Sequence, residues 1–234
     1  NKGTVNEKKA LQGVDLTLKD GDFVTVIGGN GAGKSTMLNV ISGVFPADEG
    51  AIVLDGQDIT RLREYKRSAY VSRVFQDPLL GTAANMNIEE NLALAARRGK
   101  SRGLKWGMKK GETEEYRELL KGLELGLETR TGQKVGTLSG GQRQALTLLM
   151  ASLSNPRLLL LDEHTAALDP KTAKKVLTLT DEIIKRDKLT AIMITHNMND
   201  AITHGNRLVM MNAGKIIFDV EGEEKKKLTI GDLL

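Results

Sequence analysis

The sequence predicts a mixed α/β fold, with a parallel core sheet, a small antiparallel β subdomain and an inserted helical subdomain. Two continuous apolar runs, at 157–161 and 190–195, are typical of strands buried on both faces of a parallel sheet. Strand and helix patterns alternate around these runs, which also favours a parallel sheet. The predicted boundaries within the single domain 1–234 are 1–81 and 156–234 for the α/β core with the antiparallel subdomain, and 82–155 for the helical subdomain.

The first third of the chain is rich in strand patterns. Residues 13–18 alternate apolar and polar side chains, as a half-buried strand does. Asp55-Gly56, flanked by the segments 51–54 and 57–59, is a strong hairpin signal and predicts the antiparallel subdomain. The predicted strands of this region are 13–18, 22–27, 51–54, 57–59 and 68–75, with a helix at 36–42 closed by Gly43.

Helices dominate the middle of the chain, and strands return near its end. Asn87 and Glu90 resemble a capping box that opens a helix ending near Gly99. Asp169-Pro170 forms an N-cap and N1 pair for a long helix. The other predicted elements are helices at 113–121, 141–155 and 170–188, and a hairpin of strands 207–212 and 215–220. The charged tail from Glu221 is expected to be peripheral.

Composition excludes several classes of protein. The 234 residues include no cysteine, which suits a reducing cytosol. No apolar run approaches the roughly 20 residues that a membrane helix needs, so we expect a soluble chain without a signal peptide. A net charge of +4 and an aromatic content of 3% give little support for nucleic-acid binding, and no nucleic-acid partner is expected.

The stretch Gly28–Ser35 reads G-G-N-G-A-G-K-S and fits the phosphate-binding P-loop pattern. Its glycines let successive backbone N–H groups face one anion, and the helix that follows adds the positive end of its dipole. Lys34 supplies a charge for the β- and γ-phosphates, and the Ser35 hydroxyl is placed to bind Mg²⁺. A glycine-rich turn without chemistry is disfavoured, because strand, loop and helix are in register. The predicted nucleotide-binding residues here are Gly28, Gly29, Asn30, Gly31, Ala32, Gly33, Lys34, Ser35 and Thr36.

A second motif, L-S-G-G-Q at 138–142, lies about 20 residues before the apolar strand that ends in Asp-Glu. Together with the upstream P-loop it resembles the ATP-binding cassette (ABC) ATPases, from about residue 13 to 220. As a local feature, Ser139 caps a helix whose N-terminus is itself an anion site. The resemblance implies that this segment contacts the γ-phosphate of ATP held by another subunit. The residues concerned are Ser139, Gly140, Gly141 and Gln142.

The same resemblance assigns the remaining site residues. Asp162 is expected to hold Mg²⁺ through water, and Glu163 to polarise the attacking water as general base. Gln76, in F-Q-D-P, matches the loop glutamine that senses Mg²⁺ and water. His196 matches the switch histidine that contacts the γ-phosphate, and 167–169 match the loop that reaches across the dimer.

The chain departs from the family pattern at several positions. Gly29 and His164 stand where proline is common, and Ala166 replaces a serine. His164 and His204 are interpreted as non-catalytic. Residues 1–12 contain no aromatic residue on which adenine would stack, so we expect that residue to precede Asn1, and we expect weak, poorly selective ATP binding by 1–234.

The resemblance implies an ATP-binding and ATP-hydrolysing subunit that powers transport of a small solute through a separate permease. The implied cofactors are ATP and Mg²⁺, and the implied partners are a head-to-tail homodimer, integral membrane permease subunits and a solute-binding protein. The sequence is similar to the energy-coupling subunits of bacterial binding-protein-dependent importers of small organic solutes such as amino acids. This similarity implies that the chain is cytoplasmic and peripheral on the inner face of the membrane. A soluble ABC ATPase acting on ribosomes or DNA is the alternative, and a non-hydrolysing scaffold is opposed by Glu163 and His196.

The stretch 97–110 carries seven Lys or Arg residues and no acid. It has two interpretations. One is a solvated helix end and loop. The other places it, with the segment after Gln76, near the groove where the permease docks, where Trp106 would contribute an apolar contact.

Overall fold

The structure, a computed structural model, describes residues 9–100, 107 and 111–233. The strands are β1 (Phe23–Ile27), β2 (Val53–Leu54), β3 (Gln57–Asp58), β4 (Val71–Val74), β5 (Leu158–Asp162), β6 (Ala191–Ile194), β7 (Arg207–Asn212) and β8 (Lys215–Glu221). The helices are α1 (Lys34–Ser42), α2 (Glu64–Arg67), α3 (Ile88–Ala96), α4 (Glu112–Lys121), α5 (Gly140–Ser152), α6 (Pro170–Asp187), α7 (Met198–Thr203) and α8 (Gly222–Lys226), with 3₁₀ helices at Pro78–Gly81, Val135–Thr137 and Ile230–Leu233. No helix in these ranges is both long and apolar enough to cross a membrane.

The main sheet has the strand order β4-β5-β6-β1-β7-β8. Its first five strands run parallel, and β8 pairs antiparallel with β7 at the edge. Strands β2 and β3 form a separate antiparallel pair. Asp55 and Gly56, with φ of 50° and 75°, form the turn between β2 and β3. Positive φ at both central positions is what a type I′ hairpin turn requires. The predicted fold class is therefore confirmed.

The core consists of two layers of apolar side chains, one on each face of the sheet. Leu159 and Leu161 of β5 pack in a cluster with residues of α3, α4, α5 and α6. Leu158 and Leu160 point to the other face and pack with Met37 and Leu38 of α1. Because successive strand residues alternate between faces, the four leucines at 158–161 are explained by burial on both faces, as predicted, whereas Arg157 at the start of the predicted strand is exposed.

The predicted helix caps are present. The Asn87 side chain accepts a hydrogen bond from the Glu90 N–H, and the Glu90 carboxylate accepts one from the Asn87 N–H, both at 2.8 Å. The Asp169 carboxylate accepts a hydrogen bond from the Thr172 N–H at 3.1 Å and caps α6. These caps satisfy backbone donors that have no partner within their own helix.

The prediction of a strand at 13–18 is wrong. The backbone there makes no strand pairing within the described ranges, although Val14, Leu16 and Leu18 are half-buried against the core. The Thr17 carbonyl instead accepts a hydrogen bond from the Arg207 guanidinium at 2.6 Å. The alternation of apolar residues therefore reports burial of one side of an extended segment, without a neighbouring strand.

The prediction of a peripheral tail is also wrong in part. Although most of its charged residues are exposed, Lys225 is only 2% exposed and Leu233 is 6% exposed. The Lys225 amine donates hydrogen bonds to the carbonyls of His204 and Gly205, and Leu233 joins a cluster with residues of β1, β7 and α7. The tail is therefore docked on the sheet through one buried cation and its apolar end.

Candidate functional site

Four chain segments that were predicted to carry chemistry follow parallel strands of the main sheet. Gly28 comes directly after β1, Gln76 two residues after β4, and His196 two residues after β6, while Asp162 is the last residue of β5. Because these strands are parallel neighbours, their carboxyl ends lie along one edge of the sheet. This is the edge at which open α/β sheets bind ligands.

The backbone of the P-loop has a conformation that only glycine adopts easily. Gly28 has a φ of 146°, and a Cβ atom there would lie 2.1 Å from the Met211 carbonyl oxygen. Gly33, with a φ of 101°, is the N-cap of α1. From the same hairpin, the Gly214 N–H donates to the Ala32 carbonyl at 2.9 Å. The loop is thus shaped by close backbone approach from the β7–β8 hairpin.

The Lys34 amine lies inside this loop. Lys34 is 6% exposed, and its amine donates to the Gly28 carbonyl at 2.7 Å and to the Gly29 carbonyl at 3.2 Å. Burial lowers the pKa of Lys34, while the carboxylates of Glu163 and Asp162 act to raise it. An ammonium group has three N–H donors, so one remains for a ligand in the loop.

Glu163 and His196 contact each other beside the P-loop. The His196 Nε2 atom lies 2.6 Å from Glu163 Oε1, with the side chains 46% and 14% exposed. Glu163 has a φ of 48°, which is uncommon for a residue other than glycine. Its N–H donates to the Ile194 carbonyl at 3.1 Å and holds this turn against β6. The sequence did not predict this backbone conformation.

Asp162 is bound by a residue that the sequence analysis missed. Its Oδ2 atom accepts a hydrogen bond from Arg73 Nη2 at 2.6 Å, and Arg73 Nη1 donates to Asn39 Oδ1 at 2.6 Å. The Arg73 guanidinium also lies over the Phe75 ring, 4.9 Å from its centroid. The available signal was a charged residue within a short, otherwise buried strand, V-S-R-V.

The predicted signature segment forms the start of α5. The Ser139 hydroxyl accepts a hydrogen bond from the Gln142 N–H at 3.3 Å, and the Gln142 side chain accepts one from the Ser139 N–H at 3.2 Å. Ser139 and Gly140 are exposed, whereas Gly141 is buried, and a Cβ on Gly141 would meet Thr172 Cγ2 at 2.1 Å. The described hydrogen bonds of this segment lead to itself and to nearby residues of the helical region, and none leads to the P-loop.

Gln76 is exposed after β4, and its side chain makes no hydrogen bond to other described residues. The structure therefore places Gln76 on the correct edge without joining it to Asp162 or Glu163. His164 and His204 face away from this edge, towards α6: His164 Nε2 lies 3.0 Å from Thr180 Oγ1, and His204 Nδ1 lies 2.6 Å from Asp181 Oδ2.

The residues at the edge fit a nucleotide with a magnesium ion. The loop and the N-terminus of α1 present backbone N–H groups and a lysine, which suit phosphate. The exposed Ser35 hydroxyl and the Asp162 carboxylate are oxygen donors, which suit Mg²⁺. Across the described ranges no group of three or more His, Cys, Asp or Glu side chains is placed to hold a metal.

Comparison with known proteins identifies the family. The profile of the ABC transporter family matches residues 11–166. A tyrosine transport ATP-binding protein of Clostridioides difficile is 48% identical over 224 residues, covering 96% of this chain and 89% of that protein. The spermidine/putrescine import ATP-binding protein PotA of Haemophilus ducreyi is 36% identical over 91% of this chain, which spans 54% of that relative's length.

Solved structures of related proteins lead to the same family. The ADP conformation of MJ1267, an ATP-binding cassette of an ABC transporter, is 31% identical with a TM-score of 0.80, covering 96% of this chain and 90% of that one. The dimeric post-hydrolysis state of the cassette MJ0796 is 31% identical with a TM-score of 0.78, covering 94% of each chain. Membership implies a subunit that dimerises and is associated with a membrane permease. The chain belongs to the ABC transporter family, as an ATP-binding subunit that hydrolyses ATP to power transport.

Proposed function

We propose that ATP hydrolysis takes place at the carboxyl edge of the main sheet, with Glu163 as general base and His196 as its partner. The observation that carries this proposal is the 2.6 Å contact between the two side chains beside the P-loop. A carboxylate at this place accepts a proton from water as the water oxygen attacks the γ-phosphorus. The bond from the γ-phosphorus to the bridging oxygen then breaks, and ADP leaves.

The other predicted residues bind and orient the substrate. Lys34 and the backbone N–H groups of the P-loop hold the phosphates, Gln76 orients the attacking water, and Ser35 and Asp162 hold Mg²⁺, together with Gln76. Magnesium bound there supplies positive charge that offsets the charge of the phosphates. The Lys34 amine donates hydrogen bonds to the Gly28 and Gly29 carbonyls, which keep the cation inside the loop. This position supports the assignment of Lys34 to phosphate binding.

Glu163→Gln tests the base. The variant keeps the size and most of the hydrogen bonding of the side chain but cannot accept a proton, so we expect turnover to fall on the order of 10²–10⁴-fold. ATP binding, measured with a fluorescent analogue, is expected to stay near that of the parent, and an ATP-bound dimer is expected to accumulate. Glu182→Gln on the exposed face of α6 is the matched control and should leave turnover unchanged. A turnover of Glu163→Gln within a few-fold of the parent would show that another group is the base.

The dimer that we propose is head-to-tail, with the segment Ser139–Gln142 of one chain closing the ATP site of the other. The start of α5 supports this arrangement, because the Gly140 and Gly141 N–H groups, unlike the capped Gln142 N–H, make no described hydrogen bond and can bind an anion that a second chain presents. The solved dimer of a related cassette supports it as well.

We propose that the transport partners are separate permease subunits at the inner face of the membrane, served by a solute-binding protein. An open groove of about 280 Å³ between α3, α5 and the segment after Gln76 supports permease docking. The adjoining 3₁₀ helix exposes Leu79 and Leu80 at 50% and 69%, and Leu94 of α3 is 40% exposed. Exposed leucines beside an open groove are typical of an interaction site.

The solute that we propose is a small organic compound such as an amino acid, which the resemblance to the tyrosine transport protein supports. Purification of the chain from its own membranes with its permease, followed by measurement of stimulated ATPase activity with candidate solutes and binding proteins, tests this proposal. Co-purification with ribosomes or DNA in place of a membrane protein would favour the soluble alternative.

A further inference from the structure

The side chain of Arg73 joins two parts of the proposed ATP site. It extends from the middle of β4, donates through Nη2 to Asp162 at the end of β5, and donates through Nη1 to Asn39 on α1, each over 2.6 Å. Both charged side chains are only 13% exposed. One planar guanidinium therefore connects the helix after the P-loop to the proposed metal-binding carboxylate.

The stability of the fold does not by itself account for this residue. The Arg73 Nε atom is buried and has no hydrogen-bond partner among the described residues, and a buried donor without an acceptor is destabilising. Replacing a buried ion pair with apolar residues is often neutral or stabilising. The other positions of β4, Val71, Ser72 and Val74, are buried and uncharged. The packing of the strand therefore does not call for a cation at position 73, and the charge is explained by its partner Asp162.

The position of Asn39 on α1 shows which distance is set by the Arg73 guanidinium between Asn39 and Asp162. Ser35 and Asn39 are four residues apart on this helix, so they lie on the same face one turn apart. A group that holds Asn39 at a set distance from Asp162 also sets the distance between the Ser35 hydroxyl and the Asp162 carboxylate. These two side chains are the oxygen donors that we assign to the metal.

We propose that Arg73, through Asn39, is a positioning residue that sets the separation and orientation of the metal-binding oxygens of Ser35 and Asp162. It occupies Asp162 Oδ2 and leaves Oδ1 for the site, and its planar guanidinium holds Asn39 and Asp162 in a fixed relation, one on each terminal nitrogen. Residues that orient metal ligands in this way typically affect metal affinity about 10- to 100-fold. This inference rests on the proposed assignment of Ser35 and Asp162 to the metal.

Two substitutions isolate geometry from charge. Arg73→Lys keeps the positive charge but cannot bridge Asn39 and Asp162 with a planar fork. Asn39→Leu keeps all charges and removes the acceptor for Nη1. Arg207→Lys is the matched control, because Arg207 is also 13% exposed and pairs with Asp219 through its guanidinium. It lies at the amino-terminal start of β7, away from the carboxyl edge.

The measurement is the binding of Mn²⁺, as a probe for Mg²⁺, followed by electron paramagnetic resonance in the presence of a non-hydrolysable ATP analogue. We expect Arg73→Lys and Asn39→Leu each to raise the dissociation constant of Mn²⁺ about tenfold. Affinity for the analogue in EDTA should change by less than about twofold, because the P-loop is untouched. Arg207→Lys should lower the midpoint of thermal unfolding without changing Mn²⁺ affinity.

Asp162→Asn separates failure of this inference from failure of the metal site. If Asp162→Asn does not weaken Mn²⁺ binding, the proposed metal site itself is wrong. If it does weaken binding while either Arg73→Lys or Asn39→Leu binds Mn²⁺ as the parent does, the positioning role of Arg73 is overturned. Loss of thermal stability without loss of Mn²⁺ affinity would likewise show a purely structural role.

Discussion

His164, the residue after the proposed base, is a neutral histidine in the core. It is 2% exposed, and burial, with a smaller contribution from His204, lowers its pKa to about 4. The Thr180 hydroxyl donates to the Val176 carbonyl at 2.8 Å, so the histidine must donate through Nε2 to the Thr180 oxygen. His164 therefore fills the position next to Glu163 as a hydrogen-bonded neutral side chain.

The depressed pKa of His164 makes the stability of the fold depend on pH. The unfolded chain binds a proton at this residue near pH 6.5 and the folded chain only near pH 4, so stability is lost as the pH falls through that window. By pH 5 we expect a loss of about 2 kcal/mol from this residue. His164→Gln keeps an N–H donor but does not titrate.

Chemical denaturation at pH 7 and pH 5 for the parent and His164→Gln measures this contribution. The free energy of unfolding of the parent should fall further than that of the variant, and the difference between the two losses is the expected contribution. Equal losses in the two proteins would contradict a buried, neutral His164.

At the scale of elements, the basic stretch that begins at Arg97 is partly structural. The Arg97 guanidinium donates to the Glu112 carboxylate at 2.7 Å and to the Ala93 carbonyl at 2.8 Å, tying the end of α3 to the start of α4. Arg98 donates to the Ser72 hydroxyl at 3.0 Å. The Lys100 amine, which is exposed, donates to the Ala96 carbonyl at the end of α3. Trp106, singled out in the sequence, lies outside the described residues.

Charge reversal at Arg97 should therefore lower the stability of the protein itself, whether or not a partner binds there. Because the Arg97 and Glu112 side chains are only 21% and 17% exposed, Arg97→Glu should destabilise the protein by roughly 1–3 kcal/mol. The exchanged pair Arg97→Glu with Glu112→Arg should recover part of that loss, and Lys100→Glu should cost little. Thermal unfolding of the three variants measures these effects. If Arg97→Glu were as stable as the parent, Arg97 would have no structural role, and the stretch would be either a solvated loop or part of a docking surface.

Elements and motifs differ in how far the sequence predicted them. The P-loop, the caps at Asn87 and Asp169 and the buried strands were predictable, because each depends on neighbours a few residues away. The segment 13–18 was not, because whether an extended segment pairs depends on what lies beside it in space. Arg73 was missed for the same reason, since its partners Asn39 and Asp162 are distant in the chain. Its neighbours in the strand are buried and uncharged, and they suggest only burial.

At the scale of the whole molecule, the proposed dimer places the parts of each ATP site on two chains. A monomer should then bind ATP but hydrolyse it poorly, and activity per chain should rise with protein concentration. Lys34→Ala and Ser139→Arg should each inactivate a homodimer. In a mixed dimer of the two variants, one site collects both defects and the other is intact.

Mixing the two inactive variants tests this arrangement. Partial recovery of ATPase activity supports action of Ser139 in trans, and a tethered mixed dimer checks the result if the two sites are strictly cooperative. The double variant paired with the parent carries one defect in each site and should stay inactive. Full activity in a chain that light scattering shows to be monomeric with ATP bound would contradict the proposal.

The approach of the β7–β8 hairpin to the P-loop has a consequence for synthesis of the protein. Ala32 receives its hydrogen bond from Gly214, and Gly28 lies against Met211. Both contacts join residues separated by most of the chain. At the roughly 5–20 residues added per second during translation, a ribosome needs on the order of ten seconds or more to pass from the P-loop to its supporting hairpin. During that time the nascent chain holds the complete phosphate-binding motif without the backbone groups that shape it. We therefore expect ATP to stabilise this protein only once its last hairpin has been made, and a chain truncated before β7 to gain no protection from proteases when nucleotide is added.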